Sequence, residues 1–446
     1  MQISKLSGVL LWGGFRYAKL LSALSQGTEQ NPKITNFHLI MQIGGGHMEG
    51  INQQLIRSSN LRWIYRLIDE NISISRAKLA STTKLSKTTV SSLVDELISG
   101  GYVVDCGTAP VNQHGRKPNI LHINSTGNVV AVISWRRTRL DIALVTADSR
   151  CLLTDRIPLH REDDGVQRIA QAFFSMLLPA IGSARLLGVC LVIPGIVDRQ
   201  RQCVLSTVVG VDFSDPIIPR LRQAFGDYPL CILNDTACFA YAESTFTRIQ
   251  EPFFAYINMS KGVGACLFAD GKMLRGAGAM ATQFGHFSID RSGPQCRCGN
   301  RGCLEAMVGE TALPARAAAC GLDAELVGGR RILYSDVGHL AQTGNECARR
   351  LLQELAQDIA FAISNLISVF NPSLIIIGGT GVNLGPLFLK EIRSALSRMG
   401  FQEFVQHVTL RYAELGLNSE FTGAAQYYIN HHYDFTNDMR GQLFLG

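Results

Sequence analysis

The chain has 446 residues, enough for two or three domains, and its 46% hydrophobic and 17% charged residues give an ordinary globular balance. The formal net charge of +6 is mildly basic, which permits a nucleic-acid partner without requiring one. No apolar stretch approaches the roughly 18 residues that a membrane span needs, and no secretory signal is recognisable. These features exclude an integral membrane protein and a secreted disulfide scaffold, and they predict a cytoplasmic protein.

Residues 1–52 differ from the rest of the chain, and we expect an N-terminal extension there. Three consecutive glycines at 44–46 stand just before Met48. A purine-rich ribosome-binding site gives such a run when it is translated, so Met48 is a candidate for the true start. A disordered N-terminal tail is the alternative.

Residues 53–125 predict a winged helix-turn-helix domain. Apolar Leu61, Ile64 and Ile68 recur at helical spacing, while Ser75 and Ser86 are predicted N-caps of two shorter helices. The last helix would place its first residues toward base edges in the major groove. The predicted DNA contacts are polar residues at its start, together with one residue of the following basic loop: Ser86, Lys87, Thr88, Thr89, Ser92 and Arg116.

The loop with Arg116 joins two predicted strands, at 102–105 and 119–124, and so forms the wing. Gly-Arg-Lys-Pro at 115–118 is similar to arms that enter the minor groove of A·T-rich DNA. A dimerisation or packing module and a plain surface loop are the alternatives. Nine Lys/Arg against six Asp/Glu over residues 48–125 give only a weak electrostatic footprint for DNA.

From residue 126 strands and helices alternate, and one strand–hairpin–helix scheme occurs twice, at about 129–158 and 253–276. The pattern predicts an α/β body of two actin-like, ribonuclease H-like lobes: residues 126–234 with 421–446, and residues 235–420. Ligands of such sheets bind beyond the carboxyl ends of the strands. Loops at those ends would bring Gly195, Asn234 and Asp235 into one cleft.

Three of the twelve cysteines cluster in the stretch PQCRCGNRGCLE at 294–305. Such a cluster is compatible with a nucleic-acid metal knuckle, a redox centre or a structural brace. The other nine are scattered and are predicted to be reduced core thiols: Cys106, Cys151, Cys190, Cys203, Cys231, Cys238, Cys266, Cys320 and Cys347.

The segment FGHFSID at 284–290, followed by CRCGNRGCLE at 296–305, resembles the signature of the ROK family (repressors, open reading frames and sugar kinases). The winged helix points to its Mlc/NagC-type transcriptional repressors. The resemblance implies a structural Zn²⁺ held by His286, Cys296, Cys298 and Cys303. A Cys₃His set agrees with this, because it forms a closed tetrahedral site with no open position for water.

The resemblance also implies a sugar site. Its residues would be Asn234, Asp235, Gln283, His286 and Glu305. In the family's kinases the residue that matches Asp235 is the general base. Gln283 departs from the pattern, because the family usually has glutamate there, and the affinity or the identity of the sugar is therefore in doubt.

Kinases of the family begin their first hairpin with Asp-x-Gly-Gly-Thr, where this chain has Ser134-Trp135-Arg136-Arg137-Thr138. We therefore predict that the chain is not an enzyme, with a ROK sugar kinase as the alternative. The arginines at 136–139 would either accept the phosphate of a phosphosugar or form a solvated turn.

The predicted function is a sugar-responsive repressor of carbohydrate uptake or metabolism genes. Its predicted partners are operator DNA, a sugar or sugar-phosphate inducer, and a phosphotransferase-system transporter domain, and it would act as a homodimer or homotetramer. The C-terminal tail YYINHHYDFTNDMRGQLFLG at 427–446 would contact a membrane or partner, or pack in an oligomer. The protein would be cytoplasmic and nucleoid-associated, with recruitment to the inner membrane as a further prediction.

Overall fold

A computed structural model describes residues 53–71, 73–108, 119–277, 282–436 and 441–446. Ser58–Gly446 form one compact unit of the chain. The prediction that residues 1–52 are an extension with Met48 as the start, and the predicted DNA contact Arg116, lie outside the described residues. Within the described segments, no helix combines the length and apolarity that crossing a bilayer requires.

Thirteen α-helices and fifteen strands are labelled here over the described residues. The helices are α1 Gln53–Asp69, α2 Arg76–Thr83, α3 Lys87–Ser99, α4 Gly165–Ala172 (continued by a π-helical turn Phe173–Leu177 to Leu178–Ala180), α5 Ile217–Phe225, α6 Asp235–Phe246, α7 Leu304–Val308, α8 Leu313–Ala319, α9 Tyr334–Gln342, α10 Glu346–Phe370, α11 Gly385–Leu396, α12 Gln402–Val405 and α13 Ser419–His431. The strands are β1 Val103–Thr108, β2 Asn119–Ile123, β3 Asn128–Arg136, β4 Arg139–Thr146, β5 Cys151–Pro158, β6 Arg185–Ile193, β7 Ile196–Asp198, β8 Cys203–Leu205, β9 Leu230–Asn234, β10 Phe253–Met259, β11 Val263–Ala269, β12 Lys272–Met273, β13 Leu374–Gly378, β14 Thr409–Tyr412 and β15 Leu443–Leu445.

Helices α1 to α3 and the antiparallel pair β1–β2 form the predicted winged helix. Both predicted N-caps are confirmed, because the Ser75 hydroxyl accepts the Lys78 N–H and the Ser86 hydroxyl accepts the Thr89 N–H. Helix α3 ends at Ser99, and Gly100 is its C-cap. The apolar stripes of the three helices are buried against one another, which holds α3 in place.

Two large sheets and the short antiparallel pair β7–β8 contain the other strands, and the strand orders of the two large sheets confirm the predicted duplication. The first has the order β15-β9-β6-β3-β4-β5 and the second β12-β11-β10-β13-β14. In each sheet an antiparallel unit, β3-β4-β5 or β10-β11-β12, is extended by parallel strands on its other side. The two sheets therefore share one topology, as an actin-like pair of lobes requires.

Helices α6 and α13 pack against each other and link the two sheets. Helix α13 covers one face of the first sheet, and α6 packs on the second through Phe239 and Ala240. The other faces are covered by α4 and α5 on the first sheet and by α7 to α11 on the second. The core under α13 continues into the core of the winged helix, and the exact domain boundaries stay a prediction.

Two expectations about surface and core need correction. The scattered cysteines are buried at five positions, but Cys106 and Cys151 are exposed, because each lies on a strand with a solvent-facing side. The end of the C-terminal tail is no free anchor for a membrane or partner. Its residues form β15, which pairs in parallel with β9 and buries Leu445.

Candidate functional site

The four predicted metal ligands lie together in a loop of the second lobe. A short 3₁₀ helix, Phe284–His286, presents the imidazole, and a turn-rich loop returns the three cysteines to it. Gly302 has a φ of +60° within this loop, and a Cβ there would meet the carbonyl oxygen of Asp290 at 1.7 Å. The glycine of the motif thus lets the loop fold back on itself.

The distances between these side chains fit one bound ion. Cys298 Sγ lies 3.6 Å from Cys303 Sγ, and Cys296 Sγ lies 3.6 Å from His286 Nδ1. A tetrahedral ion with bonds of about 2.3 Å to sulfur and about 2.0 Å to nitrogen sets such edges at about 3.8 and 3.6 Å. Burial raises the pKa of the Cys303 thiol to about 12, so a nearby cation would be needed to ionise it.

A cavity of about 680 Å³ is lined by both sheets and collects all five predicted sugar ligands. Asn234 ends β9 and caps α6, and its side chain is already bonded: Nδ2 donates to Gly195 O at 2.7 Å and Oδ1 accepts from Ala237 N. Asp235 is the first residue of α6, and its Oδ1 accepts the Thr236 N–H. The pair is thus fixed by its own turn.

The other three predicted ligands approach from the second lobe. Glu305 Oε2 accepts the Val263 N–H at 3.1 Å, and a Cβ on Gly262 would lie 2.3 Å from that oxygen. His286 lines the cavity while its Nδ1 faces the thiols, and this leaves Nε2 for a ligand. Gln283 also lines the cavity but is exposed.

The cleft contains one charged cluster that the sequence did not predict. Arg136, at the end of β3, contacts Glu420 at the start of α13, Asp235 at 3.5 Å and Asp141 at 3.7 Å. Its side chain is only 22% exposed and that of Glu420 2%. Both interpretations of the arginine turn were wrong for Arg136, because its charge is neither solvated nor free to bind a phosphate.

Burial shifts the acid–base behaviour of this cluster. Burial raises the pKa of Glu420 to about 7, against the opposing effect of Arg136, and Asp235 raises it further. Burial also raises the pKa of Asp235, and Arg136 again opposes the shift. Glu420 is the only charged residue among the buried residues of α13, which also include the polar Gln426 and Asn430, and it was the one sequence signal for this cluster.

The predicted DNA contacts that are described share one surface. Ser86, Lys87, Thr88, Thr89 and Ser92 are exposed at the start of α3. The Ser86 hydroxyl lies 2.8 Å from the hydroxyls of both Thr88 and Thr89, so the three side chains form one group. Arg76 lies beside α3, where it pairs with Asp95 at 2.7 Å.

Two α/β lobes of shared topology with a polar cleft between them, and a cluster of one histidine and three cysteines on the second lobe, define a sugar-kinase-like class of protein. The ROK family model matches residues 131–431, and the chain belongs to the ROK family.

The chain is similar to the xylose repressor of Bacillus subtilis strain 168, with 27% identity over 395 residues that cover 87% of this chain and 99% of the relative. It is similar in structure to a ROK family transcriptional regulator described as a homologue of the Escherichia coli Mlc protein, with a TM-score of 0.73, 25% identity, and coverage of 84% of this chain and 96% of the other. A ROK hexokinase from Thermus thermophilus matches with a TM-score of 0.53 and 25% identity, and covers 67% of this chain and 97% of its own.

The xylose repressor and the transcriptional regulator thus match 87% and 84% of the chain, whereas the hexokinase matches 67% of it. This agrees with the prediction of a repressor that is not an enzyme.

Proposed function

We propose that this protein is a sugar-responsive transcriptional repressor of genes for carbohydrate uptake or metabolism. The observation that carries the proposal is that one chain joins an exposed, hydroxyl-rich start of α3 to a cleft lined by Asp235, His286 and Glu305. The first surface suits phosphate and base-edge hydrogen bonds. The second suits a polyol, since each sugar hydroxyl both donates and accepts.

The metal of this proposal is Zn²⁺, held by His286, Cys296, Cys298 and Cys303. Three thiolates and an imidazole suit a closed structural site. When bound, the ion would offset most of the thiolate charge and fix the loop that leads into α7, the helix that contains Glu305. Zinc would therefore order the sugar site without taking part in any reaction.

The cleft of this chain favours sensing over catalysis. Phosphoryl transfer relies on backbone N–H groups and cations that cradle the phosphates. At the first hairpin, the guanidinium of Arg136 is already paired with the carboxylates of Asp141, Asp235 and Glu420. A coupled assay with ATP and a panel of hexoses, pentoses and amino sugars should give no turnover, and robust turnover would restore the sugar-kinase alternative.

The test of the proposal uses the full-length protein and does not require the operator sequence to be known beforehand. Duplexes are first selected in vitro from genomic fragments, and sugars and their phosphates, including D-xylose and D-glucose, are screened by thermal shift. We expect a palindromic duplex to be bound with sub-micromolar affinity and one sugar to weaken that binding at least about tenfold. A protein that retains no duplex, or whose DNA affinity no sugar changes, would contradict the proposal.

The same proposal extends to the oligomeric state of the repressor and to a partner protein that signals to it. Two winged helices of a homodimer or homotetramer would read two half-sites of a palindrome. A transporter domain of the phosphotransferase system is the alternative signal to a sugar, and its binding would also recruit the repressor to the inner membrane. Light scattering with and without the selected duplex gives the assembly, and a monomer on DNA would contradict it.

Zinc has its own test in Cys298→Ser. The variant should bind less than one tenth of the single equivalent expected for wild type, measured by plasma mass spectrometry, and should lose the sugar response. Cys106→Ser is the matched control, because Cys106 is exposed and distant from the cluster in sequence. A zinc-free variant with a normal sugar response would contradict the structural role of the metal.

A further inference from the structure

We propose that Arg136, Glu420 and helix α13 transmit the occupancy of the sugar cleft to the winged helix. The inference rests on the proposed function and adds the route by which one site regulates the other. Arg136 acts here as a positioning residue, and α13 connects the two sites because one end lies at the cleft and the other at the winged helix.

The cleft end of the route is the charged cluster. Glu420 is the second residue of α13, and its Oε1 accepts the Ser134 hydroxyl at 3.1 Å while Oε2 pairs with Arg136. Arg136 also reaches Asp235, a predicted sugar ligand, at 3.5 Å. A sugar hydroxyl bonded to Asp235 would share that carboxylate with Arg136. The contact of the guanidinium with Asp235 would then weaken relative to its contact with Glu420.

The helix between the two ends is continuous and tightly packed. Its 13 residues span about 20 Å. A Cβ on Gly423 would lie 2.0 Å from the carbonyl oxygen of Cys238, so α13 and α6 touch through their backbones. Two helices in such contact cannot deform independently, and a displacement at the cleft would therefore reach the far end of α13.

The far end of the route lies against the winged helix. The Tyr433 hydroxyl is 2.7 Å from that of Tyr102, and the Phe435 ring centroid is 4.6 Å from that of Tyr65 on α1. Asp434 accepts the Ser58 hydroxyl at 2.7 Å. The residues just after α13 thus hold both α1 and the segment that follows α3, and any shift of this end would reorient the DNA-binding surface.

The experiment measures the coupling between the two ligands in both directions. Sugar affinity is measured by calorimetry with and without the selected duplex, and duplex affinity by anisotropy with and without the sugar found in the screen, D-xylose being the first probe. Linkage requires that the sugar changes the duplex affinity by the same factor as the duplex changes the sugar affinity. For wild type we expect this coupling factor to be about tenfold or more.

Two variants interrupt the route at opposite ends. Glu420→Gln removes the charge that holds Arg136, and Tyr433→Phe removes the hydroxyl contact with Tyr102. Glu420 lines the cleft but is not one of the five predicted sugar ligands, and Tyr433 is not among the residues that line it. Both should keep the sugar and duplex affinities, each measured alone, within about threefold of wild type, while the coupling factor falls to about threefold or less. Asp358→Asn, which breaks the ion pair with Arg316 at 2.7 Å on the second lobe, is the matched control and should keep the full factor.

The outcomes separate the two proposals. If both variants bind sugar and duplex and keep the wild-type factor, the route through α13 is wrong while the repressor function stands. If Asp358→Asn loses the factor as well, coupling has no dependence on this helix and the inference is overturned. If wild type fails to bind any sugar or any duplex, the proposed function itself fails, and this is seen before any variant is made.

Discussion

The two lobes present equivalent hairpin turns to the cleft, and these turns are filled in different ways. At the turn between β3 and β4, Arg136 is the last residue of β3, and its charge is bound by carboxylates from three elements. Between β10 and β11 the turn carries Gly262, which lets the Glu305 carboxylate reach the backbone N–H of Val263. Side-chain charge thus stabilises the first turn, and a hydrogen bond to the main chain stabilises the second.

This difference shows how a duplicated scaffold can acquire two roles. The first turn places a buried charge between strands and helices, so its energetics depend on distant residues. The second depends on the absence of a side chain and on a neighbouring loop. Breaking each turn should therefore give effects of different size and different pH dependence.

The largest effect is expected from Arg136→Ala. The substitution leaves Asp235 and Glu420 buried without their cation, which should cost about 3–5 kcal/mol in the free energy of unfolding at pH 8. Urea denaturation measures it. Arg139→Ala in the same turn is the matched control, because Arg139 is 44% exposed and its loss should cost at most about 1 kcal/mol. Equal costs for the two arginines would remove the special role of the first turn.

The next effect is a pH dependence of the first turn. Burial raises the pKa of Glu420 to about 7 in the folded protein, from 4.5. The folded state therefore holds this proton more tightly than the unfolded chain, and the resulting stabilisation is greatest below pH 4.5 and is lost as the pH rises through 7. Relative to Glu420→Gln, the free energy of unfolding of wild type should fall by about 2–3 kcal/mol between pH 4.5 and 8.

Denaturation at several pH values measures this difference. Lys261→Ala of the second turn should show the same pH dependence as wild type over this range, because the variant keeps Glu420. If the free energies of unfolding of wild type and Glu420→Gln changed in parallel with pH, the raised pKa of Glu420 would be contradicted.

A smaller effect is expected from Gly262→Ala in the second turn. The new Cβ would meet Glu305 Oε2 at 2.3 Å, so the carboxylate must move away from Val263. Such overpacking should cost about 1–3 kcal/mol and weaken sugar binding. Thermal denaturation and calorimetry measure the two quantities. Gly416→Ala is the matched control, because nothing lies within 4 Å of its added Cβ, and an equal loss there would refute the close-contact explanation.

The smallest effect is expected from Lys261→Ala. Lys261 is exposed at the second turn, and burial together with the charges of Arg139 and Arg136 lowers the pKa of its ammonium group. Its loss should change the free energy of unfolding by no more than about 0.5 kcal/mol. A larger loss in urea denaturation would mean that charge holds the second turn as it holds the first, and the contrast between the two turns would disappear.

Much of the fold could be predicted because its signals are local. The caps Ser75 and Ser86 are read from a few neighbouring residues, and the strands of both lobes are short apolar runs. Five of the scattered cysteines are core residues as expected, whereas Cys106 and Cys151 are exposed, since a strand's solvent side is set by its place in the sheet. The helices α6 to α9 and α11 to α13 were missed, because apolar residues alone do not mark their ends.

By itself, the sequence determined the sites whose members lie close together along the chain: the His286 to Cys303 cluster and the start of α3. Only the tertiary structure decided the state of Arg136 and the place of α13. Arg136 and Glu420 are 284 residues apart, and an arginine in a polar turn predicts a solvated charge. The charge is buried instead, because the fold brings carboxylates to it from β4, α6 and α13, and such electrostatic partnership over long sequence distances leaves no periodic pattern in the chain.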